Sequence, residues 1–127
     1  MNTSRQIEAT KMLLQQIEKV VTDDYKSEIN GRVYQLSKMT YKQALPFLEY
    51  YESIQPNPIT GIAVKKMVYS EVEDMLSNYV LFDGALIKNL PTHFDKYRRD
   101  YKAYINTMLM VAIYDFLQDE LQLLKEL

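Results

Sequence analysis

Apolar residues recur every three to four positions through most of the chain, and the recurrence is interrupted at a few sites marked by Gly or Pro. The set Ile7, Thr10, Leu13, Leu14, Ile17, Val20 and Val21 keeps the helical period, with Glu8, Lys11, Gln15, Glu18 and Lys19 on the opposite face. Thr3 and Gln6 have capping-box spacing, so the pattern predicts a first helix from about Arg5 to Asp24. Asn30-Gly31, set between Ile29 and Val33-Tyr34, predicts a two-residue hairpin; the competing reading makes Gly31 a C-cap and carries helix one to Ile29. Thr40 and Gln43 repeat the capping-box spacing ahead of Ala44, Leu45, Leu48 and Tyr51, which predicts a second helix from about Tyr41 to Ser53.

Gln55-Pro56-Asn57-Pro58 is the clearest break. Asn57 and Pro58 suit the N-cap and first residue of a third helix, whose stripe is Val64, Met67, Val68, Val72, Met75, Leu76, Tyr79 and Val80. Asp83-Gly84 is read as its stop near Phe82, with two short strands, Val80-Leu81-Phe82 and Ala85-Leu86-Ile87, as the alternative. Beyond Pro91, Thr92 and Asp95 can cap a fourth helix. Residues 92–127 contain no Gly and no Pro, and their middle is apolar on nearly every side. Unbroken, they would span roughly 54 Å, whereas a compact domain of this length is about 35 Å across. Either the helix breaks, or the molecule is elongated or oligomeric. The expected fold is therefore mainly α: one domain over residues 1–127, four-helix-bundle-like, with a long C-terminal helix and one small β-hairpin around Asn30-Gly31.

Composition narrows the function classes. The chain has 127 residues and no Cys, which removes disulfide, zinc-thiolate and thiol chemistry. The polar start lacks a signal-peptide plan, and the longest apolar run, Met108 to Tyr114, falls far short of the roughly 20 residues a membrane span needs. A cytoplasmic protein without membrane contact is expected. A net charge of −2 gives no global attraction to nucleic acid or anionic lipid. The 11 Tyr and 7 Met suit contact surfaces as well as ordinary cores.

Candidate chemistry is sparse. His93 is the single histidine and is read as a polar first-turn residue. Gly31, Gly61 and Gly84 are solitary, so phosphate-loop and dinucleotide fingerprints are missing. Asp115 and Asp119 lie one helical turn apart, and Glu71, Glu73 and Asp74 cluster. Such carboxylates can bind a cation or act as acid and base, but more often form a solvated or salt-bridged face. Lys96, Arg98, Arg99 and Lys102 interleave with Tyr97, Tyr101 and Tyr104 as in a single-stranded nucleic-acid platform. The same tyrosines also fit one buried stripe, and Asp95 and Asp100 offset half the positive charge. No catalytic set, cofactor or metal is expected. The favoured function is a non-enzymatic protein-binding factor (assembly chaperone, adaptor or inhibitor) and homo-oligomer, using Met108, Val111, Leu117, Leu121, Leu124 and Leu127 as its partner surface. One alternative is a regulatory nucleic-acid binder using Lys96, Arg98, Arg99 and Lys102. Another is a small-ligand sensor with a Tyr- and Met-lined pocket anchored by Asp115.

The stretch Ile29-Asn30-Gly31-Arg32-Val33-Tyr34-Gln35-Leu36, followed by Met39-Thr40-Tyr41-Lys42-Gln43-Ala44-Leu45, resembles the opening of some phage tail-assembly chaperones and related baseplate-assembly proteins. In that pattern an Asn-Gly or Asp-Gly hairpin ends in Tyr and a short Thr-capped helix follows. The resemblance covers residues 29–45 and implies a small, mostly helical, catalytically inert, phage-encoded protein that binds other tail components. It transfers no functional residue.

Overall fold

Helices and a small antiparallel sheet gather around one long C-terminal helix in the computed structural model, which describes residues 3–19 and 24–126. Helix α1 (Thr3–Glu18) is followed by the hairpin β1 (Lys26–Ile29) and β2 (Arg32–Leu36), then α2 (Tyr41–Ile54) and α3 (Tyr69–Leu76). A second hairpin, β3 (Val80–Phe82) and β4 (Ala85–Leu86), leads through a 3-10 turn to the one-turn helix α4 (His93–Lys96). A further 3-10 turn, Arg98–Asp100, opens into α5 (Tyr101–Lys125). The strands form one sheet in the order β1-β2-β3-β4, so the fold is mainly α with a sheet and not a pure bundle. No described helix is long and apolar enough to cross a membrane.

Both hairpins turn on the residues that favour them. Asn30 and Gly31 have φ of 52° and 83°, and Asp83 and Gly84 have 51° and 79°. Left-handed backbone at both central positions matches the twist of the flanking strands. The hairpin reading of Asn30-Gly31 therefore holds, while the reading of Asp83-Gly84 as a helix stop is corrected. Helix α3 has already ended at Leu76, and Val80–Phe82 pairs with β2 through Tyr34↔Phe82 and Leu36↔Val80. That register buries Tyr34, Leu36 and Val80 together, which outweighs the local helical pattern. The Thr40 capping box forms as expected: Thr40 Oγ1 accepts from the Gln43 amide at 3.2 Å, and Gln43 Oε1 accepts from the Thr40 amide at 3.0 Å. Thr3 already lies within α1 instead of flanking it, and Val20 and Val21 fall outside the described residues.

A larger correction concerns residues 55–68, expected to hold the start of helix three. Asn57 caps a single turn, its Oδ1 accepting from the Ile59 and Thr60 amides at 2.8 and 3.1 Å. Gly61 then takes a φ of 72°, and the chain doubles back so that Ala63 bridges Pro56. Ile59, Thr60, Ile62 and Val64 are β-branched and surround a Gly, a composition that resists helix formation despite the N-terminal signal.

The C-terminal stretch resolves the length problem by breaking. Tyr97, at φ −116° and ψ 59°, leaves the helical region between α4 and α5, although neither Gly nor Pro is present. The 25 residues of α5 span roughly 37 Å. Its nearly all-round apolarity follows from its central position, since α1, α2, α3, β1 and β2 all pack against it. Met108, Val111 and Leu117, expected on a partner surface, are buried in the chain's own core together with Tyr104, Ile105, Leu109 and Ile113. That assignment is corrected, and the argument for self-association through them lapses.

Candidate functional site

Three features of the fold carry chemistry beyond ordinary packing. The first is a buried polar network between the first hairpin and the entry to α5. Asp100 is fully buried and accepts from Arg32 Nε at 2.6 Å and Arg32 Nη2 at 2.8 Å. It also accepts from Asn30 Nδ2 at 2.9 Å and from the Tyr34 hydroxyl at 2.6 Å. Arg32 and Tyr34 share one face of β2, and the turn residue Asn30 continues their two-residue spacing, so the hairpin offers its polar groups on one side. The Arg32 guanidinium also lies 4.2 Å from the Tyr97 ring centroid, a cation–π contact made possible by the break in the helix. Hydrogen bonds from Arg32 first, then from Tyr34 and Asn30, hold the Asp100 carboxyl well below the usual carboxylate range, against burial that acts the other way.

His93 extends this network. Its Nε2 lies 2.8 Å from the Tyr34 hydroxyl, whose single proton is committed to Asp100, so His93 is the donor in that contact. Burial lowers the His93 pKa; the charges of Arg32 and Lys96 act with burial, and Asp100 opposes it. The ring sits among Tyr34, Phe82, Phe94 and Tyr97. A histidine held neutral in the fold contributes stability that is complete above its unfolded pKa of about 6.5 and is lost as pH falls through that value toward the lower folded one. Because the chain has one His, thermal stability between pH 7.5 and 5 should fall in the wild type and fall visibly less in His93→Gln. Equal slopes in the two proteins would show that His93 does not titrate with unfolding.

The second feature is a cleft of about 840 Å³ between α5 and the chain entering α2. Its walls carry Asp24, Asp115 and Asp119, the rings of Tyr25, Tyr41 and Phe116, and Met39, over an apolar floor that includes Leu36, Val111 and Ala112. The Tyr25 hydroxyl donates to Asp115, lying 2.9 and 3.1 Å from its two oxygens, and burial followed by that carboxylate raises the Tyr25 pKa. Asp115, Tyr25, Tyr41 and Met39 thus line one open cleft, not the closed cavity between helices that the pocket alternative calls for.

The third feature is the 55–68 segment, which was not singled out from sequence as a surface. Ile59 and Val64 are each 94% exposed and Ile62 is 72% exposed, while Val68 is also open. The segment spends its polar groups on itself: the Asn57 amide donates to Ile62 O at 3.0 Å, the Gly61 amide to Asn57 O at 2.8 Å, and the Ile62 amide to Thr60 Oγ1 at 3.3 Å. Its return leg is tied to α2, with the Lys65 amide donating to Ser53 O at 2.9 Å and the Val68 amide to the Tyr50 hydroxyl at 2.8 Å. Its sequence signal was the run of β-branched residues around Gly61, hidden by the helix-start signal just before it.

The other expected residues fall differently. Leu121 and Leu124 are half-buried, Leu121 beside a shallow groove against α1, and Leu127 lies outside the described residues. Lys96, Arg98, Arg99 and Lys102 are exposed, but their neighbouring rings are not free for base stacking. Tyr104 is buried, and Tyr97 is covered by Arg32. Tyr101 donates to Glu73 at 2.8 Å, with its hydroxyl pushed up to about 12 by burial and that carboxylate. Arg98 lines a hollow shared with Glu73, Asp74 and Asp95. No protein-family model matches the chain, and no curated protein or solved structure is significantly similar to it.

Proposed function

We propose that this protein acts by contact, as a non-enzymatic binding factor that inserts the 55–68 hook into an apolar recess of another protein. The observation that carries this reading is the near-complete exposure of Ile59, Ile62 and Val64 on a loop that is itself rigidly hydrogen-bonded. Fully burying one such side chain is worth about 1.5–3 kcal/mol. A loop already fixed in shape loses little entropy when its tip is covered. Lys65 at its base is balanced by Glu71 at 2.8 Å, leaving the tip dominated by apolar contact. The likeness of residues 29–45 to tail-assembly chaperones makes an assembly chaperone the form of binder we favour. His93, Tyr34 and Asp100, which could suggest a proton relay, are all buried and hydrogen-bonded to one another or to Arg32, which supports a structural role for them.

The test is affinity capture and cross-linking in the native host with the wild type and the triple variant Ile59→Ser, Ile62→Ser, Val64→Ser. The variant should keep its thermal stability, because these side chains contact solvent, and should lose a partner that the Leu123→Ser control retains. Identical partner sets and cross-links for wild type and variant would refute the reading.

A further inference from the structure

We infer that the cleft beside Asp115 is a binding site for a small aliphatic polyamine, a function separate from the 55–68 hook, with which it shares no lining residue. Its volume of about 840 Å³ lies within the range of small-molecule sites. Its charge is specific in sign: Asp24, Asp115 and Asp119 face one basic neighbour, Lys38. A metal ion is not the natural occupant, because no three acidic or histidine side chains among the described residues are grouped closely enough to hold one. Carboxylates spread along a cleft suit a cation whose charges are likewise spread.

The surface between the carboxylates is suited to methylene groups. Leu36, Val111 and Ala112 form the floor, and Tyr41 and Phe116 stand edge to face with ring centroids 5.3 Å apart. Tyr41 is 67% exposed, so much of its ring can still be reached by a cation or an alkyl chain. The Tyr25 hydroxyl fixes Asp115 yet uses only part of its accepting capacity, leaving lone pairs for an ammonium group. With Lys38 offsetting one of the three carboxylates, the cleft has charge for about two ammonium groups, as in a diamine or spermidine.

Isothermal titration calorimetry of the full chain with spermidine, at low ionic strength, tests this. Saturable one-to-one binding is expected, with no heat from an uncharged diol of similar length and no displacement by Mg²⁺ at matched ionic strength. The Asp115→Asn, Asp119→Asn double variant should bind about tenfold more weakly or worse, the cost of losing charge-assisted hydrogen bonds. Tyr41→Ser, which removes a largely exposed ring and its one contact with Phe116, should also weaken binding and serves if the double variant proves unstable. Absence of saturable binding, equal binding of the diol, displacement by Mg²⁺, or unchanged affinity in the folded variants would each overturn the assignment. The 55–68 triple variant should bind spermidine normally, which separates failure of this inference from failure of the contact reading.

Discussion

Asp100→Ala lowers the free energy of unfolding by on the order of 3 kcal/mol, because it removes the buried carboxylate that Arg32, Tyr34 and Asn30 all address. For a chain of this length that corresponds to a fall in melting temperature of about 10 °C. Asp100→Asn should lie between Ala and wild type, since it keeps the shape and some hydrogen bonds but not the charge. The solvent-exposed Glu49→Gln serves as control and should change stability by no more than about 0.5 kcal/mol. Urea denaturation followed by circular dichroism reads all three, and an Asp100→Ala protein as stable as the control would show that the network contributes nothing net. The sign with pH follows from the same geometry. A carboxyl held below its ordinary value contributes stability above the unfolded pKa of about 3.9 and loses it as pH falls further, so wild type should be more acid-sensitive than Asp100→Asn below about pH 4.

Met108→Ala should cost about 2–5 kcal/mol, the range for emptying a fully buried site of this size. The distinguishing result is its independence of protein concentration. If α5 is covered within one chain, as its packing against α1, α2 and α3 shows, the unfolding midpoint of wild type and variant should not move across a hundredfold dilution. A midpoint that falls on dilution, or a Met108→Ala protein of unchanged stability, would return this helix to an intersubunit role.

Local chemistry was legible where it was self-sufficient. The Thr40 capping box and the Asn30-Gly31 hairpin depend on residues within a few positions of each other, and both formed. The Asp83-Gly84 turn and the 55–68 hook were misassigned because helix-start and helix-stop chemistry resembles turn chemistry; only pairing with β2, or exposure to water, distinguishes them. Asp100 was discounted as a charge offsetting its neighbours because its partners lie 66 to 70 positions away and no spacing rule spans that distance. The alternation of Asn30, Arg32 and Tyr34 was the available clue, since a strand that turns such groups inward needs an acid opposite. Asp115 interrupts an apolar band in the sequence, but the cleft around it is assembled from four separate stretches of chain.

The position of α5 in the chain bears on how the protein reaches its native state. α1, α2 and α3 each precede the helix they share as a support. During synthesis these earlier helices wait with their greasy faces uncovered, and Arg32 waits without its counter-ion. A chain truncated before α5 is therefore expected to be degraded by a protease that leaves the full chain intact.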